Sequence, residues 1–99
     1  MTFLLYIGKN KDFVRKCSKL ENVQMIYAQN YQDAITICVR LKVRENIIVL
    51  HEQGEMNGDI EQIGAFRKKF YQAYVVLITD RLTPEASKVY LNSGINDTV

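Results

Sequence analysis

Two residues capable of chemistry, His51 and Glu52, directly follow a run of four apolar residues, Ile47–Leu50. Such a run predicts a strand buried on both faces of a parallel sheet. In open α/β sheets, ligands bind just beyond the carboxyl ends of the strands. We therefore expect His51 and Glu52 to lie where a ligand or a reaction would be found.

The chemistry available to this pair is limited. One histidine without convergent cysteine, histidine or aspartate residues is a poor metal site, and adjacent strand residues point to opposite faces. Three roles for His51 stay open: catalysis or metal binding, a pH-sensitive structural role, or replacement of another residue without chemistry of its own. We favour the last. The sequence also lacks an acid/base pair, a nucleophile motif and a cofactor loop, so we expect no enzymatic activity, cofactor or bound metal.

Apolar runs alternate with helix-periodic segments along the whole chain. Five strands are predicted, at Thr2–Ile7, Val23–Ala28, Ile47–Leu50, Tyr74–Ile78 and Ile95–Val99. Four helices are predicted between them: Asn10 to Leu20, a helix capped by Asn30 that reaches Leu41, about Asp59 to Tyr71 after a Gln53–Gly58 loop, and Thr83 to Gly94. Strict alternation predicts a parallel sheet with right-handed crossovers and helices on both faces.

A five-stranded domain of this kind normally ends with a fifth helix that covers one face of the sheet. That helix is missing here, so we expect residues 1–99 to be a single truncated domain, or another chain to supply the cover. Large exposed apolar patches mark interfaces. We therefore expect the chain to self-associate or to exchange elements between copies.

Composition excludes several classes of protein. Hydrophobic residues make up 47% of the chain, yet no apolar run approaches the roughly 20 residues that span a bilayer. Phe3–Ile7 is too short for a signal-peptide core, so we expect a cytoplasmic protein. The net charge is +2 in small, separated basic groups, which argues against direct binding of nucleic acid. Cys17 and Cys38 fall at apolar helix positions, where free cysteine acts as a small buried hydrophobe.

The order and spacing of these elements resemble the receiver domain of two-component response regulators. The resemblance covers the whole chain, and the strings that carry it are Ile47–His51 with Gly58 downstream, Val75–Thr79 and Ser93–Asp97. It implies a flavodoxin-like three-layer α/β/α sandwich, with a five-stranded parallel sheet in the order 2-1-3-4-5.

The departures from that family matter more than the matches. The resemblance implies an acidic pair that holds Mg²⁺, where this chain has Gly8 and Lys9, and a phosphorylated aspartate, where it has His51. Thr79 keeps the family's hydroxyl residue, and Thr98 stands where an aromatic switch residue is usual. The chain therefore resembles an atypical receiver, or pseudo-receiver.

These losses have a direct physical consequence. Mg²⁺ is a hard cation that takes mostly carboxylate ligands from proteins. Replacement of its carboxylates by Gly8 and Lys9 removes those ligands and adds a repelling charge. Phosphoryl transfer needs cations around the transferring group, and His51 cannot form an acyl phosphate. Phosphorylation on aspartate is therefore expected to fail.

Lys9 could take over the role of the metal. It ends the first strand, which lies beside the third in the family's sheet order, and so could reach Glu52 or Glu55. Our hypothesis is that a lysine–carboxylate pair holds one conformation. An exposed pair of this kind contributes only about 0–1 kcal/mol.

An alternative function is a small ligand- or anion-binding domain that uses the cleft around Gly8, Lys9, His51 and Thr79. The segment Gly8–Lys11 begins a helix, and helix N-termini attract anions. No phosphate-binding or dinucleotide-binding glycine motif accompanies it.

The resemblance also implies a surface for protein contacts. In the family, the face formed by the fourth helix, fifth strand and fifth helix carries dimerisation, and the residues on or beside it here are Lys88, Tyr90, Leu91 and Asn92. We expect a regulatory domain that acts through a homodimer or another protein partner. It would control an output domain beyond residue 99, for example in transcription.

Overall fold

A computed structural model of the chain describes residues 2–99. In that range, strands and helices alternate in the order β1 (Thr2–Ile7), α1 (Lys11–Cys17), β2 (Val23–Ala28), α2 (Tyr31–Leu41), β3 (Ile47–Glu52), α3 (Met56–Lys69), β4 (Tyr74–Ile78), α4 (Pro84–Asn92) and β5 (Asp97–Thr98). The alternation predicted from the apolar runs is confirmed.

The five strands between residues 2 and 99 form one parallel sheet in the order β2-β1-β3-β4-β5. This is the predicted order, and the α/β fold class is confirmed. Ile7, near the end of β1, lies opposite both Ala28 and His51. Glu52, at the end of β3, lies opposite Ile78. The carboxyl ends of the central strands therefore meet at one edge of the sheet.

Side-chain caps define where the helices begin. Asn10, Asn30 and Thr83 each accept a hydrogen bond from a backbone N–H of the following first turn, as predicted. The prediction for α3 was wrong, because Glu55 caps this helix by accepting from the N–H groups of Asn57 and Gly58. The helix therefore begins at Met56, and Gly58 lies inside its first turn rather than in a loop.

The two faces of the sheet are covered differently. Leu5, Val49 and Leu77 are fully buried in a core that also contains Ile63 of α3 and Tyr90 of α4. Alternation along the strand sends Tyr6 to the opposite face, where its ring packs against Phe13 of α1, with a centroid distance of 5.2 Å. Helices therefore cover both faces, as predicted.

On the α1 face, the central strands are less completely covered. Leu4 and Val76 are buried, whereas Ile48, Leu50 and Ile78 remain partly accessible. Helix α1 ends at Cys17, earlier than predicted, so Leu20 lies exposed beyond it. Among residues 2–99, no helix combines the length and the apolar character that crossing a membrane requires.

Candidate functional site

A cleft of about 350 Å³ opens where the carboxyl ends of β1, β3 and β4 meet. Its walls come from the strand ends and from the loops that follow them, and include Tyr6, Asn10, Glu52, Gln53, Thr79, Asp80 and Arg81. This is the edge at which ligands bind in open α/β sheets. It is the position that the sequence predicted for a site.

The acidic residue in this cleft is Glu52, and His51 lies elsewhere. Strand β3 continues through Glu52, two residues beyond the predicted end, and its alternation sends the two side chains to opposite faces. Glu52 lines the cleft, whereas His51 is 3% exposed and lies within the core. The expectation that His51 faces the cleft is therefore corrected. The carboxylate at this point of the strand belongs to Glu52.

Hydrogen bonds from the β1 side hold the Glu52 carboxylate. Its Oε2 accepts from the Tyr6 hydroxyl at 2.5 Å and from the backbone N–H of Lys9 at 3.3 Å. The Tyr6 oxygen in turn accepts from the backbone N–H of Asn10 at 3.0 Å. Burial, and then the neighbouring Glu52 carboxylate, raise the pKa of the Tyr6 phenol. The phenol therefore stays neutral and remains a donor.

Gly8 leaves the space in which this contact forms. A Cβ atom at Gly8 would lie 2.5 Å from Glu52 Oε2 and 2.5 Å from the Tyr6 hydroxyl oxygen. The Gly8 carbonyl accepts a hydrogen bond from Tyr27 Oη at 3.0 Å, which fixes the loop from the β2 side. The lack of a side chain at Gly8 thus allows Tyr6 and Glu52 to meet.

The proposed pair between the Lys9 ammonium and a carboxylate is absent. Within residues 2–99, Lys9 forms no ion pair, and its contact with Glu52 is made by the backbone nitrogen. Glu55, the other expected partner, accepts from backbone N–H groups at the start of α3. The hydrogen bond from Tyr6 provides the link that had been assigned to Lys9.

Thr79 lies in the cleft but is engaged locally. Its hydroxyl donates to the carbonyl oxygen of Arg81 at 2.9 Å and contacts the Gln53 side-chain oxygen. The Gln53 backbone N–H donates to the Ile78 carbonyl at 2.9 Å, which continues the pairing of β3 and β4 past the strand end. The structure thus brings Thr79 to the cleft, places Gly8 and Lys9 against the Glu52 carboxylate at its edge, and leaves His51 out of it.

These residues do not fit a Mg²⁺ site. In the part of the chain that the structure describes, no three His, Cys, Asp or Glu side chains are placed to hold a metal ion together. Glu52 and Asp80 are the acidic residues that line the cleft, and Glu52 Oε2 already accepts two hydrogen bonds. Mg²⁺ is held in proteins mainly by carboxylates together with water, and the positions at which the resemblance implies an acidic pair are Gly8 and Lys9.

On the other face of the sheet, His51 belongs to a buried polar network. Its Nδ1 lies 3.0 Å from the hydroxyl of Tyr31, and the two rings stack at 5.3 Å. Its Nε2 lies 2.9 Å from Asp59 Oδ1, although the N–H does not point along a good hydrogen-bond direction. Burial lowers the pKa of His51 below its usual 6.5, and the Asp59 carboxylate opposes this shift. At neutral pH, His51 is therefore uncharged.

Asp59 connects this network to α4. Its Oδ2 accepts from the hydroxyl of Tyr90 at 2.8 Å and from the backbone N–H of Gly54 at 2.9 Å. Burial and the Asp59 carboxylate raise the pKa of Tyr90 to about 12. Tyr90 is fully buried, so its assignment to an interface is wrong. Helix α4 turns this ring towards the core. The other three predicted interface residues are exposed, namely Lys88, Leu91 and Asn92.

Tyr6, Tyr31 and Asp59 were not predicted from the sequence to belong to polar networks. That Tyr6 and Glu52 share a face depends on the register of β1 against β3, in which Tyr6 lies opposite Leu50. The partnership of Tyr31 and Asp59 with His51 depends on how α2 and α3 pack on the sheet.

Solved structures with a receiver fold are similar to this one. They include a response regulator from Thermotoga maritima, with a TM-score of 0.81 and 16% identity over 99% of this chain and 82% of that one. A two-component response regulator from Clostridium difficile gives 0.77 and 19%, over 100% and 82% of the two chains. A CheY-like protein from Pseudomonas aeruginosa gives 0.74 and 10%, over 100% and 80%.

No protein-family model and no curated protein sequence matches this chain. The similarities to solved structures show the fold of the chain, which is the α/β fold shared with CheY-like receiver domains. Its particular features are the glycine and lysine at the end of β1 and the glutamate that Tyr6 binds at the end of β3.

Proposed function

We propose that the chain is a regulatory domain of bacterial-type signalling that is not phosphorylated on aspartate and acts through protein contacts. The observation that carries this proposal is the state of the cleft. The carboxylate at the end of β3 belongs to Glu52, and hydrogen bonds from Tyr6 and the Lys9 backbone already occupy it. The fold supports a place among signalling domains, although fold alone does not establish function.

The chemistry of phosphoryl transfer supports the negative part of this proposal. Transfer to a carboxylate needs an exposed nucleophilic oxygen and cations that neutralise charge around the phosphoryl group. Here, one oxygen of Glu52 accepts a 2.5 Å hydrogen bond, and the residues at the cleft do not provide a set of magnesium ligands. The domain would therefore keep one conformation at this edge whether or not a phosphodonor is present.

A phosphorylation assay tests this part directly. The protein is incubated with acetyl phosphate and Mg²⁺, and its intact mass is measured beside a receiver that carries the acidic pair and the aspartate. We expect no acid-stable, base-labile phosphoryl adduct on this chain under conditions that modify the control. An adduct mapped to Glu52 or Asp80 would refute the proposal.

The positive part concerns the surface of α4. Lys88, Leu91 and Asn92 are exposed, and Val89 is 39% exposed. We propose that this surface contacts a second copy or another protein, and through it an output domain. Sedimentation velocity over a concentration series tests self-association, with the double variant Val89→Ser/Leu91→Ser as the comparison. Concentration-dependent dimers that this variant abolishes are expected, and dimers that it leaves intact would exclude this surface.

A further inference from the structure

A second concave surface lies at the opposite edge of the sheet, where α2 and α3 end. This groove has a volume of about 900 Å³ and lies between the residues that follow α2 and those that follow α3. Its floor is formed by the buried side chains of Cys38, Val43 and Phe70. It is separate from the cleft at Glu52 and shares no residue with it.

Two exposed apolar side chains form the walls of this groove. Val39 is 61% exposed and Tyr71 is 75% exposed, although both are large hydrophobic residues. The turn that carries Tyr71 is fixed, because Arg67 Nη1 donates to the Tyr71 carbonyl at 3.2 Å and Arg67 Nε donates to the Gly94 carbonyl at 2.8 Å. An apolar group on a fixed turn loses little conformational freedom when a partner binds, and tyrosine is enriched at such contacts.

Positive charge is concentrated around the groove. Residues 38–45 and 68–72 contain five of the thirteen basic residues of the chain but one of its eleven acidic residues, Glu45. Lys42, Arg44 and Lys69 line the groove itself, and within residues 2–99 none of the three forms an ion pair. The remainder of the chain carries more acidic than basic residues.

Stabilisation of the helix ends does not account for all of this charge. Basic residues near a helix C-terminus offset its partial negative charge, which is about half a unit for each helix. Two helices end at the groove, so their partial charges and Glu45 together cancel about two of the five positive charges. The groove retains a net positive charge beside an apolar surface.

We infer that this groove binds an acidic protein segment that also carries an apolar side chain. The acidic groups would pair with Lys42, Arg44 and Lys69, and the apolar side chain would pack between Val39 and Tyr71. Electrostatic complementarity of this kind directs partner choice and association rate. A nucleic acid fits the surface less well, because the groove is concave and has an apolar floor. The inference identifies a partner surface for the proposed regulatory domain and rests on its acting through protein contacts.

A selection from a random peptide library tests the inference without assuming a sequence. Phage-displayed dodecapeptides are selected on the immobilised wild-type chain and, in parallel, on the triple variant Lys42→Glu/Arg44→Glu/Lys69→Glu. A matched control, Lys11→Glu/Lys16→Glu/Lys19→Glu, makes the same change of charge at exposed positions on and just after α1. All six positions are exposed, and thermal melting checks that both variants fold.

The expected result is enrichment of peptides that combine acidic and apolar residues on the wild type and on the α1 variant, with loss of that enrichment on the groove variant. The best peptide should then give saturable NMR shifts at residues 38–45 and 69–72. Its affinity for the groove variant should be at least tenfold weaker than for the wild type. Replacement of the apolar residues of the peptide by serine should also weaken its binding. The inference would be overturned if the enriched peptides lacked acidic residues or were enriched equally on the groove variant. It would also be overturned if the NMR shifts lay outside the groove, or if a single-stranded oligonucleotide bound the groove more tightly than the best peptide. These outcomes do not depend on phosphorylation, so a failure here is distinguishable from a failure of the phosphorylation-independent function.

Discussion

The Tyr6 hydroxyl donates a 2.5 Å hydrogen bond to the Glu52 carboxylate and so joins the end of β1 to the end of β3. The resemblance implies a Mg²⁺-binding acidic pair after β1, where this chain has Gly8 and Lys9. Here, a phenol and a carboxylate make the connection, and Gly8 leaves room for them.

Removal of the Tyr6 hydroxyl should destabilise the fold. Tyr6→Phe keeps the ring packed against Phe13 and deletes a hydrogen bond to a charged group, which contributes about 1–2 kcal/mol at a partly buried site. Urea unfolding should show a loss of this size. Tyr74→Phe is the control, because Tyr74 is 46% exposed, and its effect should stay within about 0.5 kcal/mol. Equal effects of the two variants would show that the Tyr6 contact contributes nothing.

Two glycine substitutions should have opposite effects. Gly8→Ala places a Cβ atom 2.5 Å from Glu52 Oε2, and such crowding costs about 1–3 kcal/mol. Gly64→Ala meets no atom within 4 Å and lies inside α3, where alanine is more stable than glycine by about 0.5–1 kcal/mol. Thermal unfolding of both variants checks the pair. A stable Gly8→Ala protein would mean that the cleft readily opens.

The link between α4 and the core should depend on the Tyr90 hydroxyl. Tyr90→Phe removes the donor to Asp59 Oδ2 and leaves a buried carboxylate short of one partner, at a cost of about 1–3 kcal/mol. The substitution should accelerate the hydrogen exchange of backbone amides more in α4 than in α2. Tyr71→Phe, on a side chain that is 75% exposed, serves as the control. Unchanged exchange in α4 would separate this helix from the network.

Stability should fall as the pH drops through the mildly acidic range. The pKa of His51 in the folded state is lowered by burial, so between that value and 6.5 the unfolded chain binds a proton that the folded chain does not. The free energy of unfolding then decreases with decreasing pH, by at most about 1.4 kcal/mol per pH unit. Urea unfolding at neutral and acidic pH measures this slope.

The matched comparison for the pH dependence is His51→Gln, which cannot titrate. Its slope over the same range should be shallower than that of the wild type, even if the variant is less stable at every pH. Parallel slopes in the two proteins would assign the acid sensitivity to other groups.

Much of the fold could be predicted from the sequence. The bounds of β1, β2 and β4 agree with the prediction, because apolar runs there lie between polar turn residues. The start of α3 could not be placed, because Glu55 acts as a cap although glutamate is not a typical one. The short β5 depends on pairing with β4 alone, so the apolar pattern overestimated its length.

The site was harder to predict than the fold. Strand β3 was expected to end at Leu50, and its extension through Glu52 decides which of two adjacent side chains reaches the cleft. The resemblance placed Tyr90 at an interface, whereas the rotation of α4 turns its ring into the core. Both outcomes depend on tertiary packing, which one sequence does not specify.

We expect the cleft at Glu52 neither to bind Mg²⁺ nor to accept a phosphoryl group. A two-dimensional NMR titration with Mg²⁺, followed by beryllofluoride, tests this expectation most directly at the amides of Gly8, Lys9, Glu52 and Thr79. No saturable shifts are expected at these residues while the Tyr6–Glu52 contact persists. Saturable shifts clustered there, and lost in the variant Glu52→Gln, would contradict this expectation.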